Sequence, residues 1–197
     1  MSERLQLSTS DGQTLEARWD HPANPIGVTV FCHPDPVDGG SMNAPLMIGV
    51  ALRLVERGLS VLRFNFRGTG SSTGAHDGGR SEILDIAAAV VEARGTGLPL
   101  GIAGWSFGAA VALTWLGQEP DPPPYAGIAP PAEKLPASVN PGPKRLVVGT
   151  RDQVIDIQAL VAYAERHSID IVLTPGDHFF HGRGKKIGDL VAQALIG

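Results

Sequence analysis

Cysteine is almost absent. With Cys32 alone in 197 residues the chain cannot form an internal disulfide, and a reducing compartment is the expectation. Runs of lysine or arginine are absent too. Sixteen basic residues against 20 acidic ones leave a net charge of −4, so nucleic acid is not an expected partner. No apolar stretch reaches the roughly 18 residues of a membrane span. The best candidate, 44–55, is short and contains Arg53. The opening Met1-Ser2-Glu3-Arg4-Leu5 has no apolar signal core, so a cytoplasmic protein without a membrane partner is expected. The single cysteine in its apolar run reads as inert core.

What remains is a chain that is 43% hydrophobic and long enough for one packed domain, 1–197. Residues 5–10 and 14–19 alternate around Asp11-Gly12, as an antiparallel hairpin does. The β-branched run 26–32 lacks polar alternation, which marks a strand buried on both faces. Apolar residues at three- and four-residue spacing predict a helix over 43–58, capped by Asn43, with Pro45 in its first turn. Strands are expected at 60–66, 98–103, 125–129, 145–149 and 169–173. Helices are expected at 81–94, 109–117, 157–167 and 185–196. Two long segments stay as loops, the polar, glycine-rich 67–80 and the proline-rich 130–144. A hairpin followed by alternating strands and helices implies an α/β fold: a mainly parallel sheet with helices on both faces, and a site beyond the carboxyl ends of the strands.

At one such end stands Gly104-Trp105-Ser106-Phe107-Gly108. A serine between two glycines on a strand-to-helix turn is a nucleophile elbow. The turn is too tight for a Cβ on either side, and the helix start aims free N–H groups at the serine. Glycine is common in this chain, so the pattern needs company to count. A serine hydroxyl needs an imidazole base, itself oriented by a carboxylate. Asp152 follows the strand 145–149, and His178 follows 169–173. Ser106, Asp152 and His178 thus occur in the order nucleophile, acid, base, each on a strand-end loop. The oxyanion donors are expected to be the backbone N–H groups of Phe107 and Asp35. In His33-Pro34-Asp35-Pro36 the prolines have no N–H to give. The Asp35 carboxylate must point away, because it would repel an oxyanion.

These residues resemble the α/β-hydrolase superfamily, and within it the small, lid-less serine hydrolases of the esterase or dienelactone-hydrolase-like kind. The matching segments are His33-Pro34-x-Pro36 with Gly39-Gly40-Ser41-Met42, Arg63-Phe64-Asn65-Phe66-Arg67-Gly68-x-Gly70-x-Ser72, the elbow, Gly149-x-x-Asp152, and Gly176-Asp177-His178-Phe179-Phe180-His181-Gly182. Two departures matter. Many relatives carry a second histidine where Asp35 stands. Dienelactone hydrolase proper uses a cysteine nucleophile, so that substrate is not carried over to Ser106.

The resemblance implies an α/β-hydrolase fold with minimal or no lid, the segment 125–144 being short where relatives insert one. It implies hydrolysis of small acyl esters or thioesters through an acyl-enzyme on Ser106, without cofactor, by a monomer or small homo-oligomer. A catalytically silent binding module and a peptidase are the alternatives. His33, His181, Arg67 and Trp105 are candidates to line the site. Loop bracing is the preferred reading for His33, and a salt bridge competes for Arg67. Asp177 and Asp156 compete with Asp152 for the acid role. His178 and His181 form a His-x-x-His pair, but no third ligand stands at suitable spacing, so no metal is expected.

Overall fold

The computed structural model describes residues 2–196. Eight strands form one sheet in the order β1-β2-β4-β3-β5-β6-β7-β8. The hairpin β1 (Ser2–Ser8) and β2 (Thr14–Asp20) is antiparallel, and β2 runs antiparallel to β4 (Leu59–Phe64). From there every pairing is parallel, through β3 (Gly27–Cys32), β5 (Leu100–Trp105), β6 (Tyr125–Ile128), β7 (Lys144–Gly149) and β8 (Asp170–Thr174). The central strands β3 and β4 are buried along their whole length, which is why β3 shows no polar alternation.

Helices α1 (Pro45–Glu56) and α5 (Gly184–Ile196) pack on each other on one face of the sheet. On the other, α2 (Glu82–Arg94) packs on α3 (Phe107–Leu116). Helix α4 (Ile157–Arg166) lies beside β8 and the short 3-10 turn Ala132–Lys134, which in turn touches α3. That turn is the only helical piece in the proline-rich segment, and no lid is built there. All but one residue of α3 are buried, since it is the helix pressed into the middle of the sheet.

Two local expectations are corrected. Helix α1 is capped by Ala44 and not by Asn43. The chain turns earlier, with the Ala44 N–H donating to Ser41 O, and Pro45 at the first helical position supplies the starting φ without a side-chain cap. Strand β4 ends at Phe64, two residues before expected, because the Phe66 N–H turns inward to His33 Nε2.

The strand order reverses at β3: its successor β4 pairs on one side, and β5 pairs on the other. Loops leaving the carboxyl ends of β3 and β5 therefore part company and leave a crevice between them. The Ser106 turn leaves β5, and the Pro34–Asp35 segment leaves β3.

Candidate active site

Ser106 has φ 52° and ψ −119°, a left-handed conformation that costs a non-glycine residue roughly 1–3 kcal/mol. Its surroundings over-determine it. The Ser106 N–H donates to Ile128 O on β6 at 2.8 Å. A Cβ on Gly104 would sit 2.5 Å from Ala109 N, and one on Gly108 would sit 2.3 Å from His33 O. The two glycines therefore serve different contacts: Gly104 lets the helix fold back over the strand, and Gly108 lets α3 abut the end of β3. Phe107 opens α3, so its N–H has no partner within the helix, and none elsewhere among the described residues.

The register of β7 and β8 sets Gly149 opposite Thr174, so the loops that follow lie side by side. They are stitched by Thr150 N–H to Thr174 O and Arg151 N–H to Gly176 O, both 2.9 Å. Across this seam Asp152 Oδ2 meets His178 Nδ1 at 2.8 Å, with both side chains buried. The other carboxylate oxygen of Asp152 accepts the N–H groups of Val154 and Ile155. A carboxylate accepts only, so Nδ1 of His178 carries the hydrogen. Nε2 has no partner among the described residues. His178 and Ser106 line one cavity of about 490 Å³, together with Asp35, Trp105, Val154 and Phe179. The competing carboxylates are engaged elsewhere. Asp177 is half exposed and accepts the N–H groups of Phe179 and Phe180, and Asp156 caps α4 through Ala159 N–H.

Asp35 lines the same cavity, and its N–H donates to no group among the described residues. The preceding Pro34 carbonyl is held by His33 Nδ1 at 2.6 Å. Carbonyl and N–H lie on opposite sides of a trans peptide, so this bond turns the Asp35 N–H away from the His33 ring. The Asp35 carboxylate is tethered outward. It accepts the Val37 N–H at 3.0 Å, and lies 3.4 Å from Lys134 Nζ and 3.6 Å from His76 Nε2.

Four residues had been expected to line the site, and of these only Trp105 lines the Ser106 cavity. His33 is fully buried beneath the loop. Its Nδ1 donates to Pro34 O and its Nε2 accepts from Phe66 N–H, so both nitrogens are spent on backbone. Burial lowers its pKa to about 4, against smaller opposing effects of the Pro34 hydrogen bond and the Asp35 charge. Arg67 is also buried. It holds Asp85 through Nε at 3.0 Å and Nη2 at 2.7 Å, and reaches Asp11 at 2.8 Å. Burial opposes its charge, yet the hydrogen bonds to Asp85 and Asp11 prevail and keep it protonated. Trp105 walls the cavity. His181 is largely exposed and lines a neighbouring groove instead.

Sequence reasoning missed the support behind the loop after β3. His76 sits with Nδ1 2.8 Å from Glu82 Oε1, a close contact not aligned as a hydrogen bond, and its ring stands 5.1 Å from that of Phe107. Glu82 is fully buried, and burial raises its pKa. Lys134 Nζ lies over the Phe107 ring, 5.5 Å from its centroid. The only signal was polarity in a segment read as loop. In Arg63-Phe64-Asn65-Phe66-Arg67 the alternation is now explained. Phe64 and Phe66 are core, Arg63 ties Asp20 to Met42 O, and Asn65 ties Glu16 to the Met42 N–H.

No protein-family model matches the chain. An uncharacterized protein of Rickettsia prowazekii is 26% identical over 200 residues, covering 92% of this chain and 84% of that one. Among solved structures, XC6422 of Xanthomonas campestris, described as an α/β serine hydrolase without a lid, superposes with a TM-score of 0.90 at 30% identity, covering 99% of this chain and 94% of that one. An α/β serine hydrolase homologue from Coxiella burnetii gives 0.86 at 31% identity, covering 98% and 97%. Strand order, elbow and near-complete mutual coverage agree, and the chain belongs to the α/β-hydrolase superfamily, among the serine hydrolases built without a lid.

Proposed function

We propose that the protein hydrolyses small acyl esters or thioesters through an acyl-enzyme on Ser106. The observation that carries this reading is the 2.8 Å contact of His178 Nδ1 with buried Asp152, which leaves Nε2 as the basic nitrogen in the cavity that holds Ser106. Ser106 Oγ attacks the acyl carbon while its proton passes to His178 Nε2. The carbonyl electron pair moves onto oxygen, where the N–H groups of Phe107 and Asp35 receive it. Loss of one such donor typically raises the barrier by about 3 kcal/mol. As the tetrahedral intermediate collapses, the bond to the leaving oxygen or sulfur breaks, and His178 returns the proton to it. Water, deprotonated by the same nitrogen, then attacks the acyl-enzyme and releases the acid. Asp152 fixes the tautomer and stabilises the imidazolium.

The segment between β6 and β7 carries only one 3-10 turn and builds no lid over the cavity, which favours small substrates. The reaction needs no cofactor, nucleic acid or membrane, and we place it in the cytoplasm, in a monomer or small homo-oligomer. Fluorophosphonate labelling tests the reading. The wild type is expected to take up one probe and Ser106→Ala none. Equal labelling of the two proteins would refute it.

A further inference from the structure

Beside the Ser106 cavity runs a second concavity that the proposed chemistry has not used. Helices α1 and α5 meet at Gly49 and Gly184, where a Cβ on Gly184 would lie 2.8 Å from Gly49 Cα. With no side chain on either glycine, the helices touch by their backbones and leave a groove of about 550 Å³ above the contact. Its walls are apolar: Leu46 and Leu52 from α1, and Phe179 and Phe180 from the loop after His178. Leu52 is 58% exposed and Phe179 is 50% exposed, unusual for large apolar side chains flanking one channel. Pro45, Trp105 and Phe179 line both the groove and the Ser106 cavity, so the two adjoin.

Chemistry fixes which part of a substrate enters. The base that returns a proton to the leaving oxygen stands beside it. The groove is walled by the residues that directly follow His178, so it opens on the leaving-group side. The carbonyl oxygen lies toward Phe107 and Asp35. Arg53, Glu56 and Lys185 line the groove but not the Ser106 cavity, and they pair among themselves and with Asp189. Arg53 Nη1 is 2.7 Å from Glu56, its Nε is 2.9 Å from Asp189, and Lys185 Nζ is 4.0 Å from Glu56. Arg57 shares the same Asp189 oxygen, so these groups are engaged with one another, and a charged tail would have to shed its water along the apolar walls to reach them.

We propose that this groove is the leaving-group subsite, and that the preferred substrates are esters of unbranched, uncharged aliphatic alcohols of medium length. The proposal rests on the Ser106 acyl-enzyme of the preceding section. Its test is kcat/KM for acetate esters of methyl to octyl alcohols, beside methyl esters of acids lengthened over the same range. In the wild type the alcohol series is expected to rise about two- to fourfold per methylene and then level off, as burial of each CH₂ implies. The acid series is expected to change little. Leu52→Glu is expected to lower the hexyl-to-methyl ratio at least about tenfold. Leu52→Trp, which fills the groove, is expected to level the series at a shorter alcohol. Val91→Glu, on an exposed site of α2, keeps the wild-type ratio.

A flat alcohol series, a rise confined to the acid series, or an unchanged ratio in both Leu52 variants overturns the subsite. Preference for an alcohol ending in a carboxylate overturns its neutral character. In all these outcomes methyl acetate is still hydrolysed and Ser106 still labelled. If neither occurs in the wild type, the acyl-enzyme reading has failed and the subsite falls with it.

Discussion

His178 and His33 are both buried, both follow a strand of the same parallel sheet, and both make a short bond through Nδ1. They differ in what is left over. The Nδ1 of His33 donates to a carbonyl, and its Nε2 accepts the N–H of Phe66. Nothing remains for a substrate, and burial outweighs the nearby Asp35 charge and keeps the ring neutral, with a pKa of about 4. His178 gives Nδ1 to the carboxylate of Asp152 and keeps Nε2 unpartnered in a cavity. A carboxylate stabilises an imidazolium, and a carbonyl does so far less. Burial therefore does not distinguish a base from a brace; the partner on one nitrogen and the freedom of the other do.

The comparison breaks most sharply at His178 itself. His178→Ala is expected to lower kcat/KM on a short-chain ester by at least about 10⁴-fold with the melting temperature little changed, and Ser106→Ala to match it, because base and nucleophile act as a unit. Turnover within tenfold of wild type in either variant would remove the assignment. Next comes the partner. Asp152→Asn keeps the packing but offers an amide to Nδ1 and favours the wrong tautomer, so a loss of roughly 10²–10⁴-fold is expected. Asp177→Asn is expected to stay within tenfold, because its carboxylate serves the Phe179 and Phe180 N–H groups at the surface. Were Asp177→Asn the worse of the two on the same ester, the acid would be misassigned.

These contrasts track what the sequence could carry. That Asp152 meets His178 and that His178 shares a cavity with Ser106 was legible because a parallel sheet delivers its strand-end loops to one edge, so order along the chain becomes proximity in space. The Asp35 N–H beside that cavity was legible by elimination, since its proline neighbours have no N–H. The roles of His33 and Arg67 were harder to read. What decides them is a partner 33 or 18 residues away, Phe66 or Asp85. The groove was illegible. Leu52 and Phe179 sit on elements far apart in sequence, and it is the Gly49–Gly184 contact that opens space between them. The Asn43 cap failed because the helix starts one residue later, with Ala44 at the cap position and Pro45 setting the first helical φ.

Arg67 sharpens the comparison from the structural side. Removing one partner of a buried ion pair leaves the other charge stranded, typically at a cost of about 3–5 kcal/mol. Arg67→Met should therefore lower the urea midpoint by a corresponding amount, while the protein that remains folded keeps kcat/KM within tenfold. A stable variant with lost turnover would return Arg67 to the site.

The smallest effect tests the brace directly, through protons. The folded pKa of His33, about 4, lies below the ordinary value of 6.5, with burial the largest cause. As pH falls, the unfolded chain takes up a proton that the folded chain refuses. Stability from this group is therefore complete above pH 6.5 and is lost progressively as pH falls from 6.5 toward 4. Between pH 7 and pH 5 the loss is on the order of 2 kcal/mol. Other groups titrate in the same range, Glu82 with the opposite sign because its pKa is raised, so the measurement is a difference. His33→Gln retains a donor and an acceptor but no titrating ring. Its urea-unfolding free energy is expected to be lower than that of the wild type at pH 7, and to fall less between pH 7 and pH 5 by about that 2 kcal/mol. Parallel pH profiles for the two proteins would mean that His33 takes its proton without cost in the folded state. A protonated ring donates from both nitrogens, so that result would leave the Phe66 N–H without its acceptor, and the inward turn of the chain after β4 would need another cause.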